Sequence, residues 1–150
     1  MSEPIITYSA KLTKYNNYRD IDELFAGTYT SYNPISVDLR IWNNKFGTED
    51  VDDLENFVVN LYFDKYEDNS LLQFLTVSYN DIEEVPINVA NNIATATFLN
   101  NVVIKGTANS GSDENTDNYI NLKIQFKIDD PAINLKNNDF KSLFIEVVRQ

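Results

Sequence analysis

Carboxylates are the residues of this chain best placed to do chemistry. Glu49, Asp50, Asp52, Asp53 and Glu55 fall in one stretch, Asp64, Glu67 and Asp68 in a second, and Asp113, Glu114 and Asp117 in a third. Calcium takes six to eight oxygen ligands, and loops carrying clustered carboxylates are one way to supply them. Asp113, Asn115 and Asp117 match the first three ligand positions of an EF-hand loop. The match fails further on, because position six is Asn118 rather than glycine and position twelve is Ile124 rather than glutamate. Those three remain a weak metal alternative, and the acidic stretches read first as solvated loops. No cofactor is expected. Paired carboxylates can also hydrolyse glycosides when they face each other across a cleft. With 23 acidic residues some pair meets that distance by chance, and nothing in the sequence marks one as buried.

A second chemistry-bearing set is aromatic. The chain holds nine Tyr, nine Phe and one Trp. Tyr15, Tyr18, Tyr29 and Tyr32 group between the first two expected strands, and Trp42 falls on the face opposite Leu39 and Ile41. Tyr and Trp join a flat apolar body to a polar tip, which suits them to protein interfaces and to sugar rings. These five are the expected partner-binding residues. Trp42 is expected to be exposed on a one-sided sheet unless another subunit covers it.

Histidine and cysteine are both absent. That removes disulfides, thiolate zinc sites, the usual general base and Ser-His-Asp or Cys-His catalysis. With only four glycines a phosphate cradle is hard to build. A net charge of −11 repels phosphate backbones and anionic lipid, so neither nucleic acid nor membrane is expected as a partner. No stretch approaches the roughly 20 apolar residues of a spanning helix. The opening Met1 to Ile6 carries no basic segment leading into a long apolar run, so no secretory signal is expected. The chain is expected to be no enzyme.

The elements that must position these residues are strands. From Tyr119 to Ile128, Ile120, Leu122, Ile124, Phe126 and Ile128 alternate with Asn121, Lys123, Gln125 and Lys127. Successive strand side chains point to opposite faces, so one face is built for a core and one for water. The same period predicts strands at Ile6 to Leu12, Ile35 to Trp42, Phe57 to Phe63, Leu71 to Tyr79 and Leu143 to Val148. Pro86, between Val85 and Ile87, marks an edge or a bulge in a short strand. Asn100-Asn101 predicts a hairpin between 93–99 and 102–108. Asp20 to Ala26 reads as a short helical turn capped by Asp20 and stopped at Gly27. A further turn is expected within 47–56, capped by Thr48 or Asp50. One domain over 1–150 follows, an all-β antiparallel β-sandwich, immunoglobulin-like or jelly-roll, with one short helical turn.

Abundant Asn, Ile, Lys, Tyr and Phe in a small acidic chain give it a texture that resembles the small virion proteins of tailed bacteriophages. The stretch Leu39-Arg40-Ile41-Trp42-Asn43-Asn44-Lys45-Phe46-Gly47-Thr48-Glu49-Asp50 is similar to structural proteins of the gut crAss-like phages. The resemblance implies an auxiliary capsid (decoration) protein or another head or tail component, made in the host cytoplasm and located in the virion. Its implied partners are other virion proteins, capsid or tail subunits, with homo-oligomers left open. Met1 to Ile5 and Asn134 to Asn138 are expected as arms that order on docking. Two readings compete with this one: a calcium-assisted carbohydrate-binding module and, below it, a carboxylate-dependent glycan hydrolase.

Overall fold

A computed structural model describes residues 2–11, 17–22, 24–25, 36–63, 69–80, 83–98, 102–109, 116–126 and 142–150. Eleven strands form two sheets: β1 (Ile6–Lys11), β2 (Tyr18–Ile21), β3 (Leu24–Phe25), β4 (Ser36–Asn43), β5 (Phe57–Phe63), β6 (Leu75–Tyr79), β7 (Glu83–Val85), β8 (Ile87–Ala90), β9 (Ile93–Phe98), β10 (Tyr119–Phe126) and β11 (Ser142–Arg149). The first sheet runs β2-β1-β4-β10-β6-β7 and the second β3-β11-β5-β9-β8, and every pairing is antiparallel. The chain is an all-β sandwich.

β4 pairs with β10 in the first sheet, while β5 pairs with both β9 and β11 in the second, so nested and offset pairings occur together.

The alternation of apolar residues fixes which face is dry. Val37, Leu39 and Ile41 of β4 and Ile120, Leu122 and Ile124 of β10 are buried. Facing them from the second sheet are Phe57, Val59, Leu61, Ala94, Ala96, Phe98, Leu143 and Ile145, all in the same apolar core. Phe98 stacks on Phe57 with ring centroids 4.9 Å apart, and Tyr79 meets Phe98 edge-on from the first sheet. Burying one such side chain is worth about 1.5–3 kcal/mol, so a one-residue slip of register would be prohibitive.

Several local expectations give way to sheet pairing. The stretch expected as a helical turn at Asp20 to Ala26 supplies β2 and β3 instead, with Ser9 opposite Asp20 and Leu24 opposite Leu143. A helix cap is worth only about 1 kcal/mol, less than a strand's ladder and packing. The turn expected within 47–56 is also not helical. Val51 and Leu54 are buried there and bridge to Ser2 and Ile104. Short 3-10 turns lie elsewhere, at Asn69–Phe74 and Thr116–Asn118, and the first takes up the start of the strand expected at Leu71. Pro86 sits where the chain leaves β7 in one sheet and enters β8 in the other, and both are edge strands.

The hairpin turn falls at a different asparagine pair. Asn91 and Asn92 join β8 to β9 with φ of 53° and 67°, the two positive values a type I′ turn requires. Segment 102–108 pairs only through the single bridge Ile104–Leu54. Asn100 and Asn101 lie outside the described residues, as do Asn134 to Asn138. The expected N-terminal arm is corrected over residues 2–5. Asp52 N–H donates to the Ser2 carbonyl and Asn44 N–H to the Ile5 carbonyl, both at 2.8 Å, so this segment is paired within the fold.

Three substitutions at two positions test this architecture by denaturant unfolding. Leu39→Ala removes a fully buried side chain and is expected to cost about 2–5 kcal/mol. Asn92→Gly suits the positive φ and is expected to change stability by less than about 1 kcal/mol or to raise it, whereas Asn92→Val destabilises.

Candidate functional site

Cross-strand register brings one set of polar and aromatic side chains together on the outer face of the first sheet. Trp42 lies opposite Thr7 and Tyr119; Arg40 lies opposite Ser9 and Asn121; Asp38 lies opposite Lys11 and Lys123. Tyr18 and Asp20 of β2 extend these rows beyond β1. Ser9 is small, so the long side chains on either side of it can close over the strand.

Arg40 sits at the centre. Its guanidinium carbon lies 3.8 Å from the Tyr18 ring centroid and 4.3 Å from that of Tyr119, and its Nε–H donates to Asn121 Oδ1 at 3.0 Å. A cation near two ring faces is held by cation–π attraction to each, about 0.5–2 kcal/mol per contact according to its hydration. Arg40, Tyr18, Tyr119, Asn121 and Lys123 are all partly exposed.

Trp42 does not present itself to a partner. It is fully buried within the single chain, which corrects the expectation of an exposed contact residue. Its Nε1–H donates to Ser9 Oγ at 3.0 Å, and its ring tilts against Tyr119 with centroids 4.5 Å apart. The turn after β4 covers the remainder. Asn44 adopts φ 60°, and Lys45 places its ammonium 4.8 Å from the Trp42 ring and 2.7 Å from Asp20 Oδ1. Lys45 is only 11% exposed, although its partner Asp20 is 55% exposed. Phe46, next in the turn, is 60% exposed, and Ile5, which pairs with Asn44, is 51% exposed.

A buried amide network positions that turn. Asn43 Nδ2 donates to the Asp52 and Ile104 carbonyls at 2.9 and 3.2 Å, while its Oδ1 accepts from Ile5 N–H at 3.0 Å. Asn44 Nδ2 donates to the Glu49 and Gly106 carbonyls, and Asn118 Nδ2 lies within 3.1 Å of the Asn43, Lys105 and Thr107 carbonyls. Gly106 has to be glycine, because a Cβ there would collide with the Val51 and Asp52 carbonyls.

The first acidic stretch has a structural task. Asp53 Oδ1 accepts from Gly106 N–H at 2.9 Å and its Oδ2 from Lys105 Nζ at 3.1 Å, while Asp50 Oδ1 accepts from Ala108 N–H at 2.9 Å. The Gly106 N–H, opposed by burial and aided by the Lys105 ammonium, holds the Asp53 carboxyl below the usual carboxylate range. Asp50, Asp53, Lys105, Thr107 and Asp117 line an open cleft of about 360 Å³. Among the described residues, no three acidic side chains gather as a metal set.

Comparison with family models, with curated proteins and with solved structures yields no match to this chain. Of the expected contact residues, Tyr18 belongs to the Arg40 site and Trp42 supports it from beneath, while Tyr15, Tyr29 and Tyr32 lie outside the described residues. Of the weak metal alternative, Asp117 is exposed beside the cleft, and Asp113 and Asn115 lie outside the described residues. Arg40, Tyr119 and Asn121 are site residues that strand alternation alone assigns to a water-facing side, and Lys45 lies beyond the expected strand. Only the pairing of β4 with β1 and β10 brings them together.

Two measurements follow. Ser9→Ala leaves the Trp42 indole N–H unpaired in dry surroundings and is expected to cost about 1–3 kcal/mol in equilibrium unfolding. Asp53 binds its proton more weakly folded than unfolded. Its stabilisation is therefore present above the unfolded value of about 3.9 and is lost as pH falls through the lower folded value. Asp53→Asn is expected to lower stability near pH 7 by about 1 kcal/mol or less, given solvent screening, and to flatten the acid limb of a plot of stability against pH.

Proposed function

We propose that this chain is a non-enzymatic structural protein of a tailed-phage virion, an auxiliary capsid (decoration) protein, that docks on a capsid or tail lattice through the outer face of its first sheet. The observation that carries the reading is the Tyr18–Arg40–Tyr119 stack. Tyr and Arg are the residue types that most often dominate protein interfaces, and here they are held in place before any partner arrives. Such a surface keeps little side-chain freedom to lose on binding.

Further support comes from the chain segment concerned. The stretch Leu39 to Asp50, similar to structural proteins of crAss-like phages, supplies Arg40, Trp42, Asn43, Asn44, Lys45 and Phe46, the residues that build this face and its covering turn. Sugar stacking is favoured less, because Tyr18 and Tyr119 each turn a ring face to the guanidinium rather than leaving it open to a pyranose. Carboxylate hydrolysis is also favoured less. A general acid needs a raised pKa, whereas the Asp53 carboxyl in the acidic cleft is lowered.

The reading is tested with particles. The chain is expected in mass spectra of purified virions at many copies per particle, and the purified protein is expected to co-sediment with capsids stripped of it. Absence from virions together with failure to co-sediment would contradict the proposal.

A further inference from the structure

The outer face of β2, β1, β4 and β10 differs in charge from the rest of the molecule. The chain carries 12 Lys and Arg against 23 Asp and Glu. Among the described residues of this face the balance reverses. Lys11, Arg40 and Lys123 stand on the strands, with Lys45 in the adjoining turn, against Asp20 and Asp38. Asp20 is engaged by Lys45 at 2.7 Å. Register leaves Lys11 and Lys123 flanking Asp38, with Arg40 one row further along the sheet. A basic, aromatic patch therefore sits on a strongly acidic protein.

We infer that this patch docks an acidic protein surface, with a partner carboxylate received by the edge of the Arg40 guanidinium. The inference rests on the reading of this face as a docking surface and adds the chemistry of what docks there. The Tyr18 and Tyr119 rings crowd the guanidinium carbon at 3.8 and 4.3 Å, which leaves its outer N–H groups as the place for a ligand. In plane the guanidinium is a fork of N–H donors that matches a carboxylate's two oxygens. Among the described residues, only its Nε–H has a hydrogen-bond partner, Asn121 Oδ1. The flanking rings and Asn121 hold the fork in one orientation, so little freedom is lost when a carboxylate arrives.

Charge complementarity selects the partner's class. The basic patch is bounded by a molecule of net charge −11, so a long polyanion running past it meets repulsion within a few Debye lengths of about 8–10 Å. A folded partner with a compact acidic patch meets only the basic face. A nucleic acid would not be so confined.

Trp42, the single tryptophan, touches Tyr119 and lies under Lys45, so its emission reports on this face. The experiment titrates the folded chain at low salt with a short poly-L-glutamate, no longer than the patch is wide, with polylysine and duplex DNA as comparison probes. Expected is a saturable change in Trp42 emission with polyglutamate that weakens as salt rises. Arg40→Gln is expected to weaken it by about tenfold or more, the loss usual for a dominant interface side chain. Arg40→Lys is expected to fall between the two, because it keeps the charge and loses the fork. Should Arg40→Gln not fold, Lys11→Gln and the salt dependence carry the same test, with weaker binding expected.

No polyglutamate binding, binding undiminished in the folded Arg40 variants, or tighter binding to duplex DNA would each overturn the inference. Its failure is separable from failure of the virion reading. A chain that binds particles but not polyglutamate refutes the acidic partner alone. One that binds polyglutamate through Arg40 but never associates with virions refutes the virion assignment alone.

Discussion

Closure of one end of the sandwich by asparagine side chains is the constraint on which the outer face depends. Where β4 ends, the chain no longer has a strand partner for every backbone carbonyl, yet the region is buried. Unpaired carbonyls in such a place cost as much as lost hydrogen bonds. Asn43, Asn44 and Asn118 answer this with Nδ2 groups directed at carbonyls of Asp52, Ile104, Glu49, Gly106, Lys105 and Thr107. An aspartate in their place would bring only acceptors to a region already full of them.

From that network the outer face follows in order. Asn44, held in a left-handed conformation, reverses the chain so that Lys45 returns over Trp42. Trp42 is then dry on a face that would otherwise be wet, and Tyr119 is braced against it. Arg40 then lies between Tyr119 and Tyr18, with its Nε–H donating to Asn121 Oδ1. Loop carboxylates contribute from below. Asp50 and Asp53 hold the 106–108 backbone that supplies two of the carbonyls bound by the amides. Acidic residues that could have signalled catalysis or calcium therefore help shape the outer face of the first sheet.

The sequence made the strands legible wherever a two-residue period met a one-sided core. β4, β5, β10 and β11 lie within a residue or two of their expected places over the described residues, because shifting any of them would turn its apolar set toward water. Local signals without that tertiary stake misled. Asp20 and Glu23 resemble a helix start, yet Tyr18–Ile21 gains more as the partner of β1. Asn91-Asn92 and Asn100-Asn101 carry the same turn chemistry, and only the pairing of β8 with β9 distinguishes them. The burial of Trp42 was hidden because its cover comes from Lys45 in the turn, three residues on. The Arg40 stack was hidden because its two rings come from β2 and β10, on either side of β4, and cross-strand neighbours are not written in any one strand's spacing.

The central claim is that this face is rigid and fully built in the free chain. Its most direct test is an amide and side-chain proton–nitrogen spectrum of the free chain, followed through exchange into deuterated water. The account predicts a slowly exchanging Trp42 indole N–H, and an Arg40 Nε–H that is resolved and displaced upfield by the two flanking rings. A Trp42 indole proton lost at the rate of an open side chain, with the Arg40 signal at the position of a free guanidinium, would contradict it.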